Sequence, residues 1–490
     1  MVSLGIDIGG TGCKCVAFHE DGTQLAIAYL EYPNPPGKVN LDPIVLRDAV
    51  LDVTAQCVRK LEDPKAVCAI TVSSFGESFV PVDAEGKPLT DIILYFANSE
   101  SGDFDALVKK AGPEAIMEIT RVLPDASYSL AKMLPVKEQT HKFLFVASYL
   151  TYVLSGEAVC DVSLACRSLL YDVKQGCWSK DLLEASAISE AQLPTVLPTG
   201  GVAGKLLPEM AKTLGLSEDV LVVMGSHDQI VNALGAGVCR LGEAVDTSGT
   251  CECITPLFAD MPGLDFVQNN FACVPYLDGS GYVTYAYNIS GGAVVRWYRD
   301  ALALYLKQTS KEKDCSIYDL LNESCPAEPT KLLMLPFLQG MGGTPEVNVN
   351  ATGTIAGLTA STTLPDLYRG VLEGLCYEMR YNLEKLAAGG VVPTTLYACG
   401  GGARSQIWLQ IKADVWGCEI VPVKTEETGA LGSAILGFAA ATGERDHLAL
   451  AKKFVRHGDV IRPDPEHHKF YEKQYETYKK MRMFFLNEMY

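Results

Sequence analysis

No apolar run in this 490-residue chain approaches the ~20 residues that a membrane-spanning helix needs, so no membrane partner is expected. Cys-x-x-Cys is missing as well, and the 16 cysteines are scattered without a Cys/His cluster at zinc spacing. They read as small buried apolar residues in a reducing compartment, and the expected location is cytoplasmic. The first residues already form a strand pattern, so no signal peptide is expected. Cations are outnumbered, with 41 lysines and arginines against 59 acidic residues and a formal charge of -18. That balance argues against nucleic acid or an anionic membrane as partner. It also repels a nucleotide, so a phosphate site here must rely on backbone amides, a metal and a few cations. Two nucleotide motifs are absent. Gly-x4-Gly-Lys-Ser/Thr does not occur, which excludes a Walker loop. Gly10-x-Gly12 lacks a third glycine and leads into a strand, which excludes a dinucleotide fingerprint.

What is present is one motif made twice. Asp7-Ile8-Gly9-Gly10-Thr11 recurs as Asp246-Thr247-Ser248-Gly249-Thr250. Alternating apolar residues flank each copy, so each reads as strand, tight glycine turn, strand. Glycines allow the backbone angles of such a turn and expose its N–H groups, and Thr11 and Thr250 add a hydroxyl to each. Two such turns facing each other can hold a polyphosphate, which makes a phosphotransferase the expected class.

The chain is long enough for two or three domains, and no low-complexity linker divides it; the expected boundary lies near residue 240. Strands are expected at residues 4–8, 14–19, 24–32, 67–72 and 220–224, with a helix over 43–60 and mostly helix over 103–154. The second half repeats the hairpin, then carries helices near 292–306, 365–388 and 405–415 and a strand at 395–398. Residues 467–490 read as an exposed amphipathic helix. Three antiparallel strands followed by alternating helices and strands, made twice, describe a duplicated α/β fold.

Three constellations carry candidate chemistry. Asp7 ends an apolar strand, where a carboxylate is costly unless it meets a cation or donors; it either orients magnesium through water or caps the hairpin. Asp228 opens a helix of small residues after the strand ending at Gly225. It is a candidate general base for a substrate hydroxyl, with a helix N-cap as the plainer alternative. Cys399-Gly400-Gly401-Gly402-Ala403-Arg404-Ser405 is a strand, glycine turn and helix against which adenine or ribose can lie. Glu426-x-x-Gly429-x-x-Gly432-Ser433-Ala434 either walls the same pocket or packs closely.

In this order the motifs resemble the FGGY carbohydrate kinases, and the likeness spans essentially the whole chain. Gly5-x-Asp7-x-Gly9-Gly10-Thr11-x-x-Lys14 resembles their first phosphate loop, and Asp161-x-Ser163 with Leu169-Leu170-Tyr171-Asp172 and Trp178 their mid-domain signature. Asp228 falls at their catalytic aspartate. Asp246–Thr250 resembles the second phosphate loop and Gly400–Ser405 the adenosine segment. Arg369-x-x-x-Glu373-Gly374 and Gly343-Thr344-Pro345 also fit.

The resemblance implies two RNase H-like α/β domains of the sugar kinase, heat-shock ATPase and actin superfamily with an interdomain cleft. Residues 1–240 would bind sugar and 241–490 nucleotide. It implies ATP and Mg2+ as cofactors and a small sugar or polyol, such as the ketopentose xylulose, as acceptor; a homodimer stays open. Asp228 would be catalytic. Gly10, Thr11, Lys14, Gly249, Thr250, Gly401, Gly402 and Ser405 would bind nucleotide, Glu77 the sugar, and Asp7 the metal.

One departure concerns the Asp-x-Arg that family members often carry after the substrate hairpin. Ala97 and Ser99 stand there, so weak activity on D-xylulose is expected, with recognition left to Glu77 and to walls from Phe75, Phe79, Tyr95 and Phe96, two of which read equally well as core packing. The alternative is a nucleotide-binding sensor or interaction protein of the same fold with lost or altered kinase activity.

Overall fold

The computed structural model describes residues 1–33, 40–95 and 102–489, so Phe96, Ala97 and Ser99 lie outside the described residues. Strands β1 (Val2–Ile8), β2 (Gly12–His19), β3 (Gln24–Glu31) and β4 (Val67–Ser74) sit in one sheet with Val202–Lys205 and Leu221–His227. Its order is Val202–Lys205, Leu221–His227, β4, β1, β2, β3. β1 pairs antiparallel with β2 and parallel with β4. β1 and β4 are buried nearly throughout because helices pack on them: Thr428–Thr442 lies over both, Val146–Ser155 packs against β4, and Pro43–Arg59 lies over β2 and β3 and touches β1. The second sheet is wired in the same way. Its strand Glu243–Ser248 pairs antiparallel with Glu252–Phe258 and parallel with Thr395–Cys399, which in turn pairs parallel with Glu419–Pro422. The fold is α/β with a duplicated sheet.

Two helices join these units. Asp228–Ala236 and Thr428–Thr442 pack with their backbones in contact, because the residues between them are glycines. A Cβ on Gly235 would stand 1.9 Å from the Thr428 carbonyl oxygen, and one on Gly432 1.8 Å from that of Val231. A Cβ on Gly5 of β1 would meet the Ala430 carbonyl oxygen at 2.0 Å. The small residues flagged at 426–434 therefore serve close helix packing.

Two expectations change. Gly225 does not end its strand, which runs on to His227; the glycine is needed because a Cβ there would stand 2.4 Å from the Val72 carbonyl oxygen. The C-terminal helix, Pro465–Glu488, is docked rather than exposed, with Tyr471, Tyr475, Tyr478 and Arg482 buried. Tyr478 Oη donates to Glu378 Oε2 at 2.5 Å, and Arg482 also bonds Glu378 on the Leu364–Ala388 helix. A stripe of tyrosines looks polar in sequence, yet each ring is a large apolar body once its hydroxyl has a partner.

Candidate active site

The first glycine turn is closed by the pairing of Ile8 with Cys13, and Gly9 N–H donates to the Gly12 carbonyl at 2.9 Å. Gly10 is half-buried and Thr11 exposed at its tip. One step back, Asp7 and Lys14 oppose each other in register. The Lys14 ammonium lies 2.8 Å from Glu427 Oε2 and 3.7 Å from Asp7 Oδ2, so a cation sits between two partly exposed carboxylates. Burial raises the Asp7 pKa, Lys14 pulls it down, and Glu427 raises it further, with a net upward shift. Asp7 also faces Gly429 near the start of the Thr428–Thr442 helix; a Cβ there would stand 3.5 Å from Asp7 Oδ2.

Asp228 begins the central helix directly after the Leu221–His227 strand. Its Oδ1 is buried with no hydrogen-bond partner among the described residues, although the side chain is 35% exposed overall. Burial, with Asp7 and Glu77 nearby, pushes its carboxyl up to about 7. His227 Nδ1 lies 3.3 Å from that oxygen but accepts from Gln229 N–H, so it brings no proton to Asp228. Burial and then Arg167 hold this imidazole well below its usual range, in its neutral form. The mid-domain signature explains how the turn is held. Buried Asp161 accepts from Ser163 Oγ at 2.7 Å, and that hydroxyl accepts from His227 N–H at 2.8 Å. Asp161 and Ser163 thus position the residue before Asp228.

Glu77 sits at φ 58, an unfavourable backbone for a non-glycine residue, and its carboxylate is paired with the Arg167 guanidinium. Lys132, buried and lowered to about 8 by desolvation, donates to the Glu77 carbonyl at 2.9 Å. Arg167 lies over the Tyr128 and Tyr285 rings at 4.9 and 5.4 Å, and its Cγ fills the space left by Gly76. Sequence reasoning missed Arg167, because 90 residues separate it from Glu77 and it belongs to no glycine motif. Phe75 faces Tyr95 at 5.9 Å, whereas Phe79 packs edge-on against Phe143 in the core. Burial, with Asp228, Cys251 and Glu77 nearby, pushes the Tyr95 hydroxyl up to about 12.

In that second turn Ser248 pairs with Glu252, and Gly249 N–H donates to the Cys251 carbonyl at 2.9 Å. Gly249 and Thr250 are exposed at its tip. The glycine segment Gly400–Gly402 lies against it: a Cβ on Gly402 would stand 2.5 Å from Ser248 Cβ, and Gly400 has φ 81. Ser405 caps the Gln406–Trp416 helix by accepting from Trp408 N–H and donates to Asn322 Oδ1 at 3.0 Å, so its hydroxyl is occupied. The structure therefore gathers Asp7, Lys14, Asp228 and Glu77 on one side, and Gly249, Thr250, Gly401 and Gly402 on the other.

Asn232 of the central helix links the sides, donating to Thr247 Oγ1 at 2.6 Å and accepting from Thr428 Oγ1 at 2.5 Å. Among the described residues no group of three or more His, Cys, Asp or Glu could hold a metal by itself. A lone carboxylate such as Asp7 beside an open glycine turn still suits magnesium, which keeps several waters and takes one or two carboxylates plus phosphate oxygens.

Residues 2–235 match the N-terminal domain of the FGGY family of carbohydrate kinases, and residues 246–441 its C-terminal domain. The chain belongs to this family. It is a carbohydrate kinase, a phosphotransferase acting on sugar hydroxyls. It is 27% identical to the gluconokinase of Bacillus licheniformis over 99% of this chain and 94% of that one. A xylulose kinase of Staphylococcus epidermidis is 26% identical over 98% and 96%. In three dimensions this FGGY kinase superposes on a ligand-bound xylulose kinase from Lactobacillus acidophilus with TM-score 0.88, at 24% identity and 99% coverage of each chain. It superposes on a gluconate kinase from the same organism with TM-score 0.87, at 24% identity and 99% and 98% coverage. No helix among the described residues is long and apolar enough to cross a membrane.

Proposed function

We propose that the protein transfers the γ-phosphoryl group of ATP to a hydroxyl of a small sugar or polyol, with Asp228 as general base. The observation that carries this is the Asp228 carboxyl, whose buried Oδ1 lacks a partner among the described residues, with burial pushing the carboxyl up to about 7. A base tuned to the working pH is both deprotonated and able to take a proton. Asp228 removes the acceptor hydroxyl proton, the oxygen bonds to the γ-phosphorus in line, and the bond to the ADP oxygen breaks. Gly10, Thr11, Gly249 and Thr250 present the two turns to the phosphates, and Lys14 offsets developing charge. Gly401 and Gly402 provide flat backbone for the nucleoside, with Ser405 holding the helix behind them. Asp7 would hold Mg2+ through water, where the ion would neutralise phosphate charge.

In this reading residues 1–240 form the acceptor-binding lobe and 241–490 the nucleotide-binding lobe. Glu77 and Arg167 together supply an acceptor and donors for neighbouring hydroxyls. A ketopentose or short polyol fits that pair. Activity on D-xylulose itself is expected to be weak, because Ala97 and Ser99 have uncharged side chains and charged hydrogen bonds contribute about 1.5–3 kcal/mol each. Measuring kcat/KM with ATP across ketopentoses, polyols and aldonates tests both statements. Transfer to none of them refutes the acceptor class, and a clear D-xylulose optimum refutes the specificity.

A further inference from the structure

Beneath the second turn lies a charge cluster that the proposed mechanism does not use. Lys412, on the Gln406–Trp416 helix, is fully buried, and its ammonium reaches three groups. It pairs with Asp246, lies 2.6 Å from Glu252 Oε1, and donates to Ser248 Oγ at 2.5 Å. The Trp408 and Trp416 rings flank it at 4.8 and 5.1 Å. Asp246 and Glu252 have 0% side-chain exposure.

Ser248 and Glu252 are the two residues whose pairing closes the turn Gly249-Thr250-Cys251. Lys412 therefore grips both ends of the hairpin at its mouth. Ser248 is also the residue against which Gly400 and Gly402 lie, since a Cβ on Gly400 would stand 2.7 Å from its carbonyl oxygen. One ammonium thus fixes two glycine segments relative to each other. The charge balance is tight. Burial works against the Lys412 ammonium, but Asp246 and Glu252 more than offset this and its pKa lies above the usual lysine value. Burial raises the Glu252 pKa and Lys412 lowers it, with a net upward shift, and its Oε2 has no partner among the described residues.

We propose that Lys412 is a positioning residue that sets the second turn and the Gly400–Gly402 segment in their nucleotide-binding geometry through Ser248 and Glu252. This rests on the reading that those segments hold the nucleotide. A backbone cradle has no side chains with which to adapt, so its affinity depends on how firmly its strand ends are held. Truncating lysine alone would leave buried unpaired carboxylates and damage the fold. The test therefore uses the variant Lys412→Met/Asp246→Asn/Glu252→Gln, which removes all three ionisable groups together, and, separately, Ser248→Ala, which keeps them and removes the link.

Titration with a non-hydrolysable ATP analogue should show both variants weakened by up to about tenfold, the size of one hydrogen bond's net contribution. KM for the acceptor should be unchanged, a split that a merely structural role would not produce. Wild-type analogue affinity in folded Ser248→Ala overturns the proposal even if the triple variant does not fold. Gly249→Val, which places a side chain at the turn tip, is the control. If it leaves analogue binding intact, the nucleotide is bound elsewhere and both readings fall. If it abolishes binding while Ser248→Ala does not weaken it, only the role of Lys412 falls.

Discussion

The two glycine turns carry the same charges in opposite settings. Around the first, Asp7, Lys14 and Glu427 are partly open to solvent, with side-chain exposures of 23%, 30% and 22%. Around the second, Asp246, Lys412 and Glu252 are sealed at 0%. Strand register explains the difference. Asp7 precedes the last paired residue, Ile8, by one position, whereas Asp246 precedes the last paired residue, Ser248, by two. Side chains alternate across a strand, so that single step moves the aspartate to the other face. Thr247, not Asp246, consequently faces the central helix, where Asn232 meets it. The open set is free to meet a ligand, and the sealed set holds a hairpin in place.

The largest effect is expected at Asp228, which has Asp7 of the open set nearby: Asp228→Asn should keep ATP-analogue binding and lose phosphoryl transfer by roughly 10²–10⁴-fold in single-turnover assays. Near wild-type turnover would place the base elsewhere. Next come the paired aspartates. Asp246→Ala should cost about 3–5 kcal/mol in urea unfolding, as breaking a buried ion pair does. Asp7→Ala should cost less than about 1 kcal/mol, the range of exposed pairs, while lowering kcat more than nucleotide affinity and changing the magnesium dependence. Equal unfolding losses would erase the distinction between open and sealed. At the interface joining the two sides, Gly432→Ala should cost about 1–3 kcal/mol, because its Cβ has no room beside the Val231 carbonyl. An unchanged unfolding midpoint would mean that the helices separate freely.

The smallest effect is a pH dependence. Asp228 holds its proton up to about pH 7 in the folded chain, against an ordinary value of 3.8. Between those values the folded state binds the proton that the unfolded chain has released, so this group's contribution to stability falls as pH rises through the window. Asp228→Asn should therefore melt higher than wild type at pH 8 and alike near pH 4, while wild-type kcat/KM climbs towards pH 7 and then levels. A pH-independent difference in melting would leave the Asp228 pKa near its ordinary value.

Much of this was legible in the residues because it is local. Alternating apolar residues and glycines define each hairpin through backbone sterics and period-two burial, and the order of motifs named the family. The Leu364–Ala388 helix was readable from Pro365 onward because proline suits a first helical turn. The repeat Asp7/Asp246, by contrast, concealed a change of face, since letters match without reporting which residues pair across the turn. Arg167 beside Glu77, Asp161 and Ser163 behind His227, and Lys412 under Ser248 join residues far apart in the chain. Sequence alone determined the hairpins, the duplicated fold and the glycine turns, which depend on neighbours in the chain. Tertiary structure decided which charges stay open and which are buried, because burial and pairing depend on packing between distant segments, and in a low-dielectric interior these set the energy of every charge.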